Sequence, residues 1–285
     1  MGIVAPAGPF DRESFEAGLR VLAERYQPVY DDGLLARTRY LAGSDARRLD
    51  ELNGALADDS VKAVFAARGG YGSLRLLPKL RRAGPPKLLV GFSDITALHL
   101  AFQAAGRVSI HGPVVTQLAT QPAEVVHRLV HLIESPETPV SPLRGSPLVD
   151  GGAEGPLLGG NLSLLTRLLG TPYLPDLEGA ILLLEDLGER PYRLDRMWTH
   201  LALAGVFDRV AGIALGEFTD CEEPGAEYSS AEVVATLAAD VGLPCVGGLP
   251  IGHGALNVPL PLGCRVHLDG GSGRLDFLEP AVTPA

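Results

Sequence analysis

The chain has 285 residues, of which 46% are hydrophobic and 20% are charged, and its formal net charge is −10. This length and composition are ample for a packed core and correspond to one large or two modest domains. The acidic balance offers no basic surface for phosphate backbones, so neither nucleic acid nor an anionic membrane surface is an expected partner.

The amino terminus and the cysteines indicate a soluble, cytoplasmic protein. The opening residues, MGIVAPAGPFDRESF, have neither the basic start nor the apolar core of a signal peptide, and nowhere do 18 apolar residues run together. The cysteines, Cys221, Cys245 and Cys264, form neither a CxxC pair nor an even disulfide set. This usage fits a reducing compartment, and we interpret the three cysteines as packing residues.

Short apolar runs alternate with helical patterns along the first half of the chain. Strands are predicted over 2–8, from 61 into a glycine loop ending at 73, and over 86–92; helices are predicted over 11–26, 44–58, 74–80 and 94–106. Asp11 is expected to cap the first of these helices. Repeated strand–turn–helix units imply right-handed crossovers and a parallel sheet covered on both faces.

A segment rich in Pro, Gly and Ser divides the chain. Residues 135–156 have no sustained hydrophobic period, which predicts an interdomain linker. The linker separates an N-terminal α/β domain, residues 1–134, from a β-rich α/β C-terminal domain, residues 157–285.

The second half mixes strands and helices. Asn161 is placed to cap one helix, and Ser229 with Glu232 forms a capping box for another. Strands are predicted over 179–189 and 209–218, helices over 162–170, 191–207 and 233–242, and a β-hairpin over 266–277.

Ser93 lies between an apolar run and a helix start, in VGFSD at 90–94. The pattern is close to the G-x-S-x-G turn of nucleophilic serines but has no second glycine. Backbone N–H groups at the start of the helix favour a negative charge that develops beside the Ser93 hydroxyl. The alternative is that Ser93 or Asp94 merely caps the helix.

A nucleophilic serine needs a base within hydrogen-bond reach and a carboxylate that orients the base. His253, in a loop between two glycines, is one candidate base, and His111, which follows a strand, is its competitor. The candidate carboxylates follow an apolar run that predicts the carboxyl end of a strand, and they are Glu185, Asp186 and Glu189, with Asp195 farther along the same segment. The residues alone do not choose among the three.

Several separated motifs carry a resemblance to a known family. They are ARGGYGS at 67–73, VGFSD at 90–94, HGPV at 111–114, GPLLGGNLSLL at 155–165, LLEDLGERPYRLDR at 183–196, GEF at 216–218 and GLPIGHG at 248–254. In this order and over nearly the whole chain, they resemble the LD-carboxypeptidase family of serine peptidases. That family includes murein tetrapeptide carboxypeptidases and microcin-immunity hydrolases.

The resemblance implies a fold and a catalytic triad. The expected fold is α/β, with an N-terminal flavodoxin-like parallel-sheet domain, a C-terminal swivelling β/α-barrel-like domain and a site in the cleft between them. By resemblance Ser93 is the nucleophile, Glu185 the acid and His253 the base. The backbone N–H groups of Asp94 and Gly70 are the expected oxyanion donors.

The resemblance also implies a substrate and an assembly. The expected activity is release of the terminal D-alanine from cytoplasmic murein tetrapeptides during peptidoglycan recycling, by a homodimer. Arg68 is a candidate for binding the substrate's terminal carboxylate, or it could pair with an internal acid. No cofactor or metal is expected, since no H-E-x-x-H or comparable ligand cluster occurs.

Two other functions fit the same sequence. A hydrolase of peptidyl or aminoacyl nucleotides would keep the triad and need an aromatic platform for the base; Trp198, the single tryptophan, lies in a predicted helix and offers no clear one. A non-catalytic protein that binds a small ligand would also suit two α/β lobes, and in it Ser93, Glu185 and His253 would lie far apart.

Overall fold

The computed structural model describes residues 1–81 and 84–282, which form two β-sheets with helices packed around them. The strands are β1 (Gly2–Val4), β2 (Ala63–Ala66), β3 (Leu88–Gly91), β4 (Ser109–His111), β5 (Leu143–Arg144), β6 (Ser146–Val149), β7 (Gly152–Asn161), β8 (Ile181–Leu187), β9 (Gly212–Thr219), β10 (Cys245–Gly247), β11 (Leu260–Leu262), β12 (Arg265–Asp269) and β13 (Arg274–Phe277). The α-helices are α1 (Arg12–Ala23), α2 (Asp45–Ala57), α3 (Thr96–Gln103), α4 (Ala123–Glu134), α5 (Leu162–Leu168), α6 (Pro191–Leu203) and α7 (Ser230–Val241).

The first sheet has the order β1-β2-β3-β4-β11. Strands β1 to β4 pair in parallel, and β11 pairs antiparallel with β4. Val29 forms a parallel bridge with Gly2, and its carbonyl accepts a 2.9 Å hydrogen bond from the Ile3 N–H. With this bridge counted as an edge strand, the parallel part has the order 2-1-3-4-5 of flavodoxin-like folds.

The second sheet has the order β5-β13-β12-β7-β8-β9-β10-β6. Its centre, β7 to β10, is parallel, and the flanking pairs are antiparallel. The two edge strands, β5 and β6, are separated in the chain by Gly145 alone, so the sheet must curl until its edges meet. The sheet is therefore nearly a closed barrel, and the predicted fold class is confirmed.

Helix α3 lies between the two sheets. All eight of its residues are buried, and it packs against β7 and α5 of the second sheet as well as against β4 of the first. A helix whose residues are buried on every side must be covered by other elements on every side. The turn that precedes α3 is therefore held at the junction of the two sheets.

The predicted helix caps are confirmed. The Asp11 carboxylate accepts a hydrogen bond from the Ser14 N–H at the start of α1, and the Asn161 amide oxygen accepts one from the Leu164 N–H at the start of α5. Ser229 and Glu232 form the reciprocal capping box of α7. The predicted hairpin is β12 with β13.

The helix predicted over 74–80 is instead a 3₁₀ helix, Ser73–Lys79. Pro78 lies inside it. Proline has no N–H to donate, and its ring would collide with the carbonyl four residues earlier in an α-helix. The pattern of leucines indicated a helix correctly but not its type.

The predicted linker, residues 135–156, is largely not a linker. From residue 143 onward it forms β5, β6 and the first half of β7. Strands β5 and β6 are edge strands, where a residue such as Pro147 that cannot donate to a ladder is tolerated. Composition was therefore a poor guide here, and the domain limits at 134 and 157 remain a prediction. No helix within the described ranges is both long and apolar enough to cross a membrane.

Candidate active site

Ser93 occupies a sharp turn at the carboxyl end of β3. Phe92 before it is extended, whereas Ser93 itself has a left-handed φ of +64° and begins the 3₁₀ turn Ser93–Ile95 that leads into α3. A residue with a Cβ in this conformation is strained by roughly 1–3 kcal/mol. Such strain is characteristic of turns that lift a nucleophile above the end of a sheet.

The capping alternative for this turn is wrong. Neither the Ser93–Ile95 turn nor α3 has a side-chain hydrogen bond at its start. The Asp94 carboxylate instead accepts a 2.7 Å hydrogen bond from the Ser73 N–H, at the end of the glycine loop. Burial raises the pKa of Asp94, and the N–H groups of Ser73 and Gly72 oppose that rise. Asp94 thus ties the glycine loop to the turn.

The glycine loop passes directly over Ser93. A Cβ placed on Gly69 would lie 2.8 Å from the Ser93 Cβ and 3.1 Å from its Oγ, so only glycine fits. Gly70 has a left-handed φ of +103°. Within residues 1–81 and 84–282, the N–H groups of Gly70 and Asp94 donate to no other group. Two free donors therefore lie next to this contact in the chain, Asp94 after Ser93 and Gly70 after Gly69.

Glu185 and His253 form a hydrogen-bonded pair. The His253 Nδ1 lies 2.7 Å from the Glu185 Oε2, and the Glu185 side chain is fully buried at the end of β8. Burial raises the pKa of Glu185, and the hydrogen bond and charge of His253 act in the opposite direction. A carboxylate in this position fixes the ring tautomer and stabilises an imidazolium.

The other two candidate carboxylates face elsewhere. Consecutive residues of a strand point to opposite faces, so Asp186 points away from His253. It accepts hydrogen bonds from the Asn161 amide and from Ser163. Glu189 lies 3.4 Å from the Arg193 guanidinium. Of the three carboxylates, Glu185 alone pairs with a histidine.

The glycines on either side of His253 are required for close packing. Gly252 has a φ of +113°, and a Cβ on it would lie 2.7 Å from the Glu185 carboxylate. A Cβ on Gly254 would overlap the Glu217 carboxylate. Sequence analysis noted the two glycines beside His253 but not this steric requirement for them.

The His253 ring lies beside the Ser93 turn. Its centroid is 4.7 Å from that of Phe92, the residue before Ser93. Within the described part of the chain the Ser93 hydroxyl makes no hydrogen bond to His253, a contact that often tightens only in the complex with substrate. The structure thus places the His253–Glu185 pair beside the turn that carries Ser93, the three positions that the family resemblance implies.

His111 and His99 are buried, and neither pairs with a carboxylate among the residues that the structure describes. His99 contacts the Ser109 hydroxyl and the Gly91 carbonyl, and burial lowers its pKa to about 4. His111 is also fully buried, which lowers its pKa well below the ordinary value, and its ring packs 5.8 Å from Phe92. Both histidines are neutral packing residues beneath the turn.

Arg68 directly precedes the glycine loop and contacts the segment that follows β1. Its guanidinium donates to the Pro9 carbonyl, and it lines a surface cavity of about 550 Å³ together with Arg12 and Arg37. No acidic side chain pairs with Arg68 among the described residues. The alternative that it pairs with an internal acid is therefore wrong.

Sequence analysis missed the contact that joins the two sheets beside the site. The Thr96 hydroxyl, in the first turn of α3, accepts a 3.0 Å hydrogen bond from the Asn161 N–H at the end of β7. A Cβ on Gly160 would lie 2.7 Å from the same hydroxyl. The glycine pair before Asn161 was the available signal, since adjacent glycines often mark a close approach of backbone.

Family models match both halves of the chain. The N-terminal domain of LD-carboxypeptidases matches residues 1–112, and the C-terminal domain matches residues 154–268. The chain belongs to the LD-carboxypeptidase family. It is accordingly a hydrolase, a carboxypeptidase of the serine type.

Relatives and solved structures agree with this family. A putative carboxypeptidase of Synechocystis is 40% identical over 257 residues, 89% of this chain and 85% of the relative. The murein tetrapeptide carboxypeptidase of Pseudomonas aeruginosa is 37% identical over 290 residues, 95% of this chain and 93% of the relative.

Two solved structures share the fold. The muramoyltetrapeptide carboxypeptidase of Oxalobacter formigenes has a TM-score of 0.87 and 32% identity, with 100% of both chains covered. The protein MccF, solved with glutamyl sulfamoyl guanosine, has a TM-score of 0.88 at 22% identity, covering 99% of this chain and 96% of the other. At that identity the second likeness concerns the fold alone.

Proposed function

We propose that this LD-carboxypeptidase removes the terminal D-alanine from murein tetrapeptide through a Ser93–His253–Glu185 triad. The observation that carries the proposal is the 2.7 Å hydrogen bond from His253 to the buried Glu185, next to the strained Ser93 turn. The names of the Pseudomonas and Oxalobacter relatives support murein peptide as the substrate class.

In the proposed first step, Ser93 Oγ attacks the carbonyl carbon of the bond to D-alanine while His253 Nε2 takes the hydroxyl proton. The tetrahedral intermediate collapses when His253 gives that proton to the leaving amine, and an ester to Ser93 remains. Water then attacks the ester with His253 again as base, which frees the tripeptide and Ser93. Glu185 holds the imidazolium throughout and is not protonated.

The oxyanion is proposed to bind the N–H groups of Asp94 and Gly70. Both are free donors next to the contact between Gly69 and Ser93, and both are fixed by local structure: Asp94 by the start of the helix and Gly70 by the anchored loop. One such donor typically contributes about 2.7–4 kcal/mol to stabilising the transition state. Because they are backbone groups, no side-chain deletion removes them cleanly.

A carboxypeptidase must also bind a terminal carboxylate, and we propose Arg68 for this role. A guanidinium without an acidic partner, on the residue before the loop that covers Ser93, suits a bidentate carboxylate contact. Arg37 lines the same cavity and adds positive potential in a chain whose net charge is −10, whereas Arg12 is paired with Glu16 at 3.4 Å and Asp11 also lines the cavity.

We further propose that the enzyme acts in the cytoplasm, in peptidoglycan recycling, and as a homodimer. Cys221, Cys245 and Cys264 are all free and buried, as expected where thiols stay reduced. Burial raises the pKa of each thiol, which makes the three cysteines inert.

The test is a product assay by mass spectrometry on L-Ala-D-Glu-meso-diaminopimelate-D-Ala with a metal chelator present. The parent should release one D-alanine, and Ser93→Ala should lower kcat by about 10⁶-fold, as removal of a triad nucleophile does. Ser272→Ala, an exposed serine in the β12–β13 hairpin, is the matched control and should keep the parent rate. Turnover by Ser93→Ala at the parent rate would refute the serine mechanism, and inactivity of the parent would refute the substrate.

A further inference from the structure

The carboxylate of Glu217 lies directly beside the loop of the candidate base. It belongs to the GEF motif at 216–218, to which the triad assigns no role. A Cβ on Gly254 would overlap this carboxylate, so the carboxylate lies against the residue that follows His253. Among the residues that the structure describes, the Glu217 side chain forms no ion pair and accepts no hydrogen bond. A carboxylate next to the candidate base thus has no partner in the described part of the chain.

A bulge in β9 fixes the backbone of Glu217 at this place. Gly216 and Glu217 of β9 together oppose the single residue Glu185 of β8, because the register of the two strands shifts at this point. Such an extra residue interrupts the alternation of side chains and re-aims one of them, and bulges are frequent next to active sites. The Glu217 N–H also donates a 2.9 Å hydrogen bond to the Ile251 carbonyl, which anchors the bulge to the segment that leads to the candidate base. The carboxylate is therefore held beside the loop of that base.

The surroundings of Glu217 favour a cation as its partner. Glu217 is not the acid that orients the base, because the Nδ1 of His253 is already bonded to Glu185. The residue is half-buried, and this burial raises the pKa of its carboxyl above the ordinary value. A carboxylate that loses water is stabilised by a cation and destabilised by a second anion. A ligand that reaches Glu217 would therefore bind it best through an ammonium group.

The proposed substrate carries its ammonium groups on the acyl side. One is on the side chain of diaminopimelate, the residue whose main-chain carbonyl Ser93 would attack, and the other is at the amino end of the peptide. The nitrogen of the departing D-alanine lies in the scissile amide and is uncharged until that bond breaks. The side-chain amine belongs to the attacked residue itself, so its position does not depend on the conformation of the residues before it. It is therefore the group that we expect at Glu217.

We propose that Glu217 binds an ammonium group of the substrate, with the side-chain amine of the attacked residue as the expected group. The inference rests on the proposed function and deepens it, since it names a residue that selects substrates with a cationic acyl part. A charge-assisted hydrogen bond in a partly exposed site corresponds to about a tenfold gain in kcat/KM.

The experiment measures kcat/KM for the murein tetrapeptide and for the same peptide with 2-aminopimelate in place of diaminopimelate. That replacement deletes the side-chain amine and keeps the carbon chain and its carboxylate. We expect the parent to prefer the amine-bearing peptide by about tenfold and Glu217→Gln to show a ratio near one. An effect of Glu217 on the charge or position of His253 would change both rates alike, so the ratio reports the contact with the amine.

Glu24→Gln is the matched control for this ratio. Glu24 is exposed and lies at the far end of α1, the helix that follows β1 and so runs away from the strand ends that carry Ser93. The Glu24→Gln variant should keep the parent ratio.

A tetrapeptide acetylated at its amino end separates the two amines. If acetylation lowers kcat/KM in the parent and not in Glu217→Gln, the bound ammonium is the one at the amino end, and the cation site stands. A parent that is indifferent to both changes overturns the cation site and leaves the proposed function intact, and so does a preference that persists in Glu217→Gln. A parent that cleaves none of the peptides overturns the proposed function and the cation site with it.

Discussion

The contact between Gly69 and Ser93 predicts a strong effect of one added methyl group. In Gly69→Ala the new Cβ would lie 2.8 Å from the Ser93 Cβ and 3.2 Å from the Phe92 carbonyl oxygen. Restoring an ordinary carbon–carbon contact of about 3.5 Å moves the two residues apart by about 0.7 Å. Gly69 does not have a left-handed φ, so the effect is one of packing and not of backbone strain.

A displacement of this size should reduce both catalysis and stability. Misplacement of a catalytic group by about 1 Å can cost about 100-fold, so we expect kcat to fall between tenfold and 100-fold. Overpacking of a buried site costs about 1–3 kcal/mol, which thermal unfolding would register as a fall of several degrees. The assay is D-alanine release from the tetrapeptide, with unfolding followed in the same preparations.

Gly54→Ala is the matched control, because a Cβ on Gly54 meets nothing within 4 Å. It lies inside α2, where alanine is favoured over glycine by about 1 kcal/mol, so this variant should be slightly more stable and fully active. A folded Gly69→Ala enzyme with kcat within twofold of the parent would refute the view that the close approach positions Ser93.

Two further variants test the acid and the carboxyl beside the nucleophile. Glu185→Gln removes the charge that stabilises the His253 imidazolium, so kcat should fall about 10⁴-fold, whereas Glu189→Gln should stay active; equal rates for the two would exclude Glu185 from the mechanism. Asp94→Asn keeps the acceptor for Ser73 and removes a carboxyl whose pKa is raised above 3.8 by burial. At a pH between the pKa of Asp94 in the unfolded chain and its raised pKa in the folded protein, the folded parent keeps a proton that the unfolded chain has lost. The parent should therefore lose stability relative to the variant as the pH rises through this interval. Unfolding midpoints of both proteins at several pH values measure this loss, and a constant difference would contradict it.

Much of the local structure follows from the sequence because it depends on near neighbours. The caps at Asp11, Asn161 and Ser229 require only a polar side chain two or three residues before free N–H groups. The Ser93 turn could be predicted for the same reason, since a glycine, a serine and a helix start lie within a few residues of one another. Over 143–156, composition predicted a linker where the structure has strands, because edge strands and linkers can share a composition rich in Pro, Gly and Ser.

Family resemblance supplied what local signals could not, the choice of Glu185 over its neighbours. Asp186 is one residue away and equally acidic, and the direction in which each side chain points depends on the register of β8 in the barrel-like sheet. Nothing within the segment itself determines that register. The hydrogen bond to His253 joins residues 68 positions apart.

The sequence by itself determined the elements, their caps and the residue types able to do the chemistry, because these depend on propensity and on contacts within one turn of chain. Tertiary structure alone decided which glycines are irreplaceable. Gly69 over Ser93, Gly160 against Thr96 and Gly252 against Glu185 each meet a group distant in sequence. It also decided that the Glu217 carboxylate lies against Gly254, since steric fit and proximity between such residues exist only after the sheets have formed and packed.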